Sequence, residues 1–299
     1  MKLVALNALA AACLAALAGP VFADAYSTAT FGNVTVTLVD LNPNDGIAPS
    51  ISFLPYANMY DGGAGVRVKT EMGLPGGYEA GHKYDESEAI GDWQADSVSN
   101  SSQLPLATAS GYVTGSASGV GFTGLSASGH AESGVDNRGI YHADASAPGF
   151  PNSKFFTLSA NTMVTFSVNA AVSASMTRGY TAGALEGEAA YAMLTLFTGG
   201  LDAQGKYVFD QQDHVASVLY ETGSVPGGAS DSWSGVMAAS FSNLSNQSSK
   251  GEFYAEGVVG GRSVISAVPE PSTYGMLLGG LGLMGVLARR RNRAVRRGE

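Results

Sequence analysis

Apolar and polar side chains alternate along much of this chain. In NVTVTLVD, residues 33–40, Val34, Val36 and Leu38 point one way while Asn33, Thr35 and Thr37 point the other. In VTFSVNAAVSAS, residues 164–175, Val164, Phe166, Val168, Ala170 and Val172 alternate with Thr165, Ser167, Asn169 and Ser173. A period of two marks strands with one buried face. Shorter strands are predicted at 51–54, 66–69, 154–158, 191–197, 207–209, 215–220, 236–241 and 252–259. LSANT, residues 158–162, reads as a tight turn between two strands, and NLSNQSSKGE, residues 243–252, as a hairpin loop. No long helical period appears outside the two ends. The pattern predicts an all-β body, residues 26–267, folded as one antiparallel β-sandwich or jelly-roll-like domain.

The ends follow other rules. Lys2 precedes an apolar run from Leu3 to Leu17, Gly19 and Pro20 break it, and small residues follow at Val21, Ala23 and Ala25. This is the layout of a secretory signal peptide, assigned to residues 1–25, with cleavage after Ala23 or Ala25 fitting equally well. The only cysteine, Cys13, lies inside the apolar run, so the exported chain would have no disulfide, zinc–thiolate site or thiol nucleophile. Near the other end, residues 274–288 are uncharged. As a helix they would span about 22 Å, short of the roughly 30 Å hydrocarbon core. Arg289, Arg290, Arg291, Arg293, Arg296 and Arg297 follow. Such a cluster stays on the cytoplasmic side and leaves the body outside, in agreement with the signal peptide.

Val268-Pro269-Glu270-Pro271, the short apolar run and Arg289-Arg290-Arg291 together resemble the PEP-CTERM sorting signal, assigned to residues 268–299. The resemblance implies an exported protein of a Gram-negative bacterium with a single C-terminal transmembrane helix. It also implies transient contact with the membrane and with an exosortase, which cuts near Pro269, Glu270 and Pro271 and passes the body to the cell surface or matrix. The local physics agrees. Each proline locks its own φ and drives the residue before it to an extended conformation, which is how a protease accepts a strand.

Composition narrows the function of the body. Residues 26–268 hold 22 of the 25 acidic residues but nine of the 16 basic ones, a net charge of −13. That surface repels nucleic acid. Forty glycines, nearly twice the usual ~7%, fit many short strands and turns. The segment 97–149 is rich in Ser, Gly and Ala, with Ser-Ala-Ser-Gly at 116–119 and again at 126–129. It is read as small-residue strands, with part of 97–102 a mobile loop.

Candidate chemistry is sparse. In DLNPNDG, residues 40–46, Asp40, Asn42 and Asn44 have calcium-loop spacing. Asp45, however, stands where the EF-hand pattern wants glycine, and Ile51 where it wants a bidentate Glu. A turn is the preferred reading. Asp85, Glu86, Glu88, Asp92 and Asp96 around Trp93 read as a solvated acidic loop. His82, His130, His142 and His214 form no zinc motif. Glycoside hydrolysis needs only two acids at the right separation, and 22 acids nominate no pair. Among the aromatics, Trp233 is the best exposed candidate for stacking on sugar, whereas Tyr191 reads as core. The resulting expectation is a surface or matrix protein without catalytic residues, cofactor or metal, structural or adhesive in role and associated with extracellular polysaccharide. The alternatives are a secreted carbohydrate-active enzyme or a calcium-dependent glycan-binding module on the same fold.

Overall fold

The computed structural model describes residues 23–53, 64–73, 82–91, 97–115, 122–133, 137–147, 154–177, 187–219 and 228–264. All lie within one compact unit, Ala23–Ile265. The signal-peptide segment before Ala23 and the sorting segment fall outside the described residues.

Every element among the described residues is a strand. They are β1 (Asp24–Phe31), β2 (Thr35–Asp40), β3 (Ile51–Phe53), β4 (Ala64–Gly73), β5 (Lys83–Gly91), β6 (Ser97–Leu104), β7 (Ala107–Gly115), β8 (Phe122–Glu132), β9 (Arg138–Ala147), β10 (Lys154–Leu158), β11 (Thr162–Met176), β12 (Ala189–Leu201), β13 (Tyr207–Leu219), β14 (Ala229–Asn243) and β15 (Ser249–Val264). Two antiparallel sheets form. Sheet A runs β14-β11-β1-β8-β7-β6, with β2 also on β11; sheet B runs β13-β12-β15-β9-β4-β5, with β10 on β15 and β3 on β10. The sheets pack face to face around one apolar core, so the sandwich expectation holds.

The interlayer is built from small residues and a few rings. Ala25, Ala29, Ala127, Ala143, Ala145, Ala192 and Ala255 are fully buried in it. At one end Phe53, Phe156, Phe166, Phe241 and Phe253 cluster, with Phe166 and Phe253 ring centroids 4.4 Å apart. Elsewhere Tyr141 of β9 reaches across the layers, its hydroxyl 2.7 Å from Ser27 Oγ of β1. Its ring lies over Gly129 of β8 and over Gly261, its register partner in β15. The glycines of β15 repeat this device, with Phe156 over Gly251 and Tyr191 over Gly260. A glycine costs strand stability, and here the ring seated on it restores the packing.

Several strand expectations need correction. Residues 207–209 and 215–219 are parts of one strand, β13, and Tyr220 lies outside the described residues. Its polar middle faces inward at the edge of the sandwich, where the Asp210 carboxylate accepts from Ser240 N (2.8 Å) and Gln212 Oε1 from Ala238 N (3.0 Å), both in β14. At the opposite edge Ser102 Oγ of β6 donates to Asp85 Oδ2 of β5 (2.6 Å). Segment 97–102 is therefore a strand and not a mobile loop. Asp85, Glu86 and Glu88 belong to a strand and not to a solvated loop; Asp92, Trp93 and Asp96 lie outside the described residues. LSANT is a turn, with Asn161 at φ 46°, but it carries the chain from sheet B to sheet A. Residues 244–248 likewise cross between sheets rather than closing a hairpin, pinned by the buried Asn243 amide on the carbonyls of Ser159 (2.9 Å) and Gln247 (2.7 Å). Alternation identifies strands but carries no information on which sheet receives them.

The ring seats give a direct test. Gly261→Ala would place a methyl group 2.5 Å from the Tyr141 hydroxyl oxygen. Urea unfolding should show a loss of about 3 kcal/mol. Gly32→Ala, whose nearest neighbour would be at an ordinary 3.5 Å, should stay within ~0.5 kcal/mol of the parent.

Candidate functional site

Strand alternation gives the sandwich two outer faces of different chemistry. On sheet A the registers align one hydroxyl residue from each of six strands. Ser232 pairs with Ser173, Ser173 with Thr28, Thr28 with Ser128, Ser128 with Ser110, and Ser110 with Ser101. At strand spacings of about 4.8 Å this row crosses the full width of the sheet, roughly 24 Å. Thr28 Oγ1 bonds Ser173 Oγ (2.7 Å), and Ser110 Oγ bonds Ser128 Oγ (2.8 Å). A hydroxyl offers one donor and two acceptor positions, so each keeps capacity for a ligand. The second Ser-Ala-Ser-Gly element has a physical reading here. Ser126 and Ser128 face outward, Ala127 enters the core, and Gly129 seats Tyr141. The first element lies outside the described residues.

Tyrosines flank the row on both sides. Tyr26 is 45% exposed and Tyr112 is 47% exposed. Tyr112 borders a shallow recess shared with Ser99, Ser101, Ser110, Ser126 and Ser128. A second recess lies at the β6–β7 turn, bordered by Leu104, Pro105, Thr108, His130 and Glu132. Beside it Asp24, His130 and Glu132 bring their donor atoms within 4.8 Å of one another. The His130 nitrogens lie 3.8 Å from Asp24 Oδ1 and 3.9 Å from Glu132 Oε1, ion-pair separations rather than hydrogen bonds. The sequence shows His130 as isolated and gives no sign of this trio, because only the β1–β8 register brings Asp24 opposite Glu132. All three side chains are partly open to solvent, which can satisfy them.

The outer face of sheet B is charged. Lys69 pairs with Glu71 at 2.6 Å, and Arg67 with Glu88 at 3.5 Å. Burial pushes the Glu71 carboxyl up, but Lys69 and His82 outweigh it and hold the group below its ordinary value. Burial, with Lys69 and Arg67 adding to it, holds the His142 imidazole below its usual range. Asp144 of β9, only 8% exposed, stands within hydrogen-bonding reach of Glu256 of β15. Burial, then the neighbouring Glu256, pushes the Asp144 carboxyl up to about 8. Tyr254 hydrogen-bonds Glu256, and its phenol is raised by burial and by that carboxylate.

The structure redistributes the other sequence candidates. The Asp40 and Asp45 carboxylates are occupied by the turn itself, accepting from Asn42 N (2.9 Å) and Ile47 N (2.7 Å), while Asn161 Nδ2 donates to Asp45 (2.8 Å). Trp233 is not an open platform; it is half-buried against the core and stacked on His214 at 3.4 Å and 7°. Tyr191 is not core; it lies on the outer face of sheet B, 3.3 Å from His142 Nδ1. Pro269, Glu270, Pro271, Arg289, Arg290 and Arg291 lie outside the described residues.

A family model for the PEP-CTERM protein-sorting motif matches residues 267–291, the stretch that holds those six residues. No curated protein and no solved structure matches the chain. The motif marks an exported protein processed by an exosortase at the membrane. Substituting both Pro269 and Pro271 by alanine should leave most of the protein unprocessed, read as an intact mass that retains residues 272–299.

Proposed function

We propose that the exported body is a non-catalytic adhesive or structural element that binds extracellular polysaccharide across the outer face of sheet A. The observation that carries this reading is the hydroxyl row flanked by two half-exposed tyrosines on a largely uncharged surface. Hydroxyls exchange hydrogen bonds with sugar hydroxyls, tyrosine rings cover apolar sugar faces while keeping a polar tip in water, and a wide flat sheet suits a polymer better than a small molecule. The absence of strong charge matters as well, since a neutral glycan gains nothing from a charged wall that must be desolvated.

A catalytic alternative is less well supported. Two carboxyl pairs come close among the described residues: Asp144 with Glu256, near enough to hydrogen-bond, and Asp24 with Glu132, whose oxygens lie within 4.8 Å. A retaining glycosidase separates its two acids by about 5–5.5 Å to admit the sugar.

The route outward involves Pro269, Glu270 and Pro271 as the exosortase recognition turn, residues 274–288 as a short-lived membrane helix, and Arg289, Arg290 and Arg291 as the cytoplasmic retention cluster. Of the two cuts, the one after Ala23 keeps β1 whole, whereas a cut after Ala25, which is fully buried and pairs with both Met176 and Ala131, would remove two residues from that strand.

Two measurements test this reading. The intact mass of protein recovered from the cell surface should begin at Asp24 and end near Pro271. In a sedimentation assay with the producing cells' own polysaccharide, Tyr26→Ala and Tyr112→Ala should each weaken retention about tenfold, or ~1.4 kcal/mol. Phe209→Ser, on sheet B, should leave retention unchanged. Equal retention by all three variants would reject the binding face.

A further inference from the structure

Three neighbouring side chains on sheet B present an unsolved electrostatic problem. Alternation along β9 puts Asp144 and Ser146 on the same outward face, and the register sets Glu256 directly across from Ser146. Ser146 is fully buried although it faces outward, and its hydroxyl meets no hydrogen-bond partner. Apart from its approach to Glu256, Asp144 Oδ1 has no partner either. Two carboxyls in hydrogen-bonding reach attract only if something positive lies between them, and an unpaired buried carboxylate is costly. Arg67, opposite Asp144 in β4, lies 3.5 Å from Glu88 and also favours the charged form of Asp144.

We propose that Asp144, Ser146 and Glu256 form a binding site for a hard divalent cation, calcium being the fitting ion for an exported protein. All three donors are oxygen, two are anionic, and they stand on paired strands whose backbone is already fixed. Tyr254, bonded to Glu256, orients that carboxylate from outside the site. The opposite position in β4 is Gly65, which adds no side chain to compete for the ion. This site is independent of the glycan face on sheet A. It also differs from the Asp40–Asp45 turn, whose carboxylates are already engaged.

The test is calorimetric titration of CaCl₂ into the full chain, purified in detergent and stripped with EDTA, at pH 7.5, together with melting curves with and without calcium. The expected result is one saturable site per chain and a melting temperature that rises by several degrees at saturating calcium. Asp144→Asn and Glu256→Gln should each weaken binding at least tenfold, and Ser146→Ala by a smaller factor. Asp45→Asn should leave affinity unchanged. Asp144→Asn keeps the size of the side chain and removes one of two neighbouring carboxyls, so it should fold. Absence of saturable binding in the parent, or binding that survives both Asp144→Asn and Glu256→Gln, overturns the site.

Discussion

A sheet can bury a side chain only when another surface meets it, and in this protein alanine and glycine set the distance of that meeting. The phenylalanine cluster fills one end and Phe122, Leu125, Leu194, Leu196 and Met237 fill other places, while between them the layers approach through methyl groups and bare backbone. Gly111 of β7, for example, would carry a methyl group only 2.8 Å from Val66 of β4. Such a core contributes less apolar area per residue than a leucine-rich one, so it depends on close fit. The rings over Gly129, Gly251 and Gly261 supply much of that fit, and Tyr141 adds a hydrogen bond to Ser27 across the layers.

The same economy governs the edges. A long sandwich exposes unpaired N–H and C=O groups on its outermost strands, which invites pairing with other chains. Here inward-facing polar side chains satisfy them. Asp210 and Gln212 of β13 accept from the backbone of β14, and Ser102 Oγ of β6 donates to the Asp85 carbonyl of β5. Polar residues at the seams thus close the fold and leave the two broad faces free to differ. One face is mostly a lattice of hydroxyls, with Asp24, His130 and Glu132 grouped on it; the other carries ion pairs and a buried carboxyl pair.

Much of the fold was legible in alternation. Strands β2, β10, β11 and β15 were anticipated because their apolar positions recur every second residue and their neighbours are turn formers. Strands β5, β6 and the middle of β13 were missed because their inward positions are Asp, Ser, Asn and Gln, which resemble a loop until the facing strand is seen. For the sites, sequence reading picked Asp40, Asn42 and Trp233 from local spacing, and tertiary contacts had already engaged the Asp40 carboxylate and Trp233. Asp144 and Glu256 gave no local signal, since each is an ordinary acid among 22.

By itself the sequence determined the all-β character of the body and the presence of a sorting signal, since period-two alternation and a proline-bracketed tripeptide before an apolar run are local patterns. Tertiary structure alone decided which hydroxyls stand in one row, which glycine receives which ring, and which two acids share a proton or an ion. Those outcomes depend on strand register between distant segments. Slipping a strand by one residue turns every side chain to the opposite face, and no local pattern in one segment records where another segment will stop beside it.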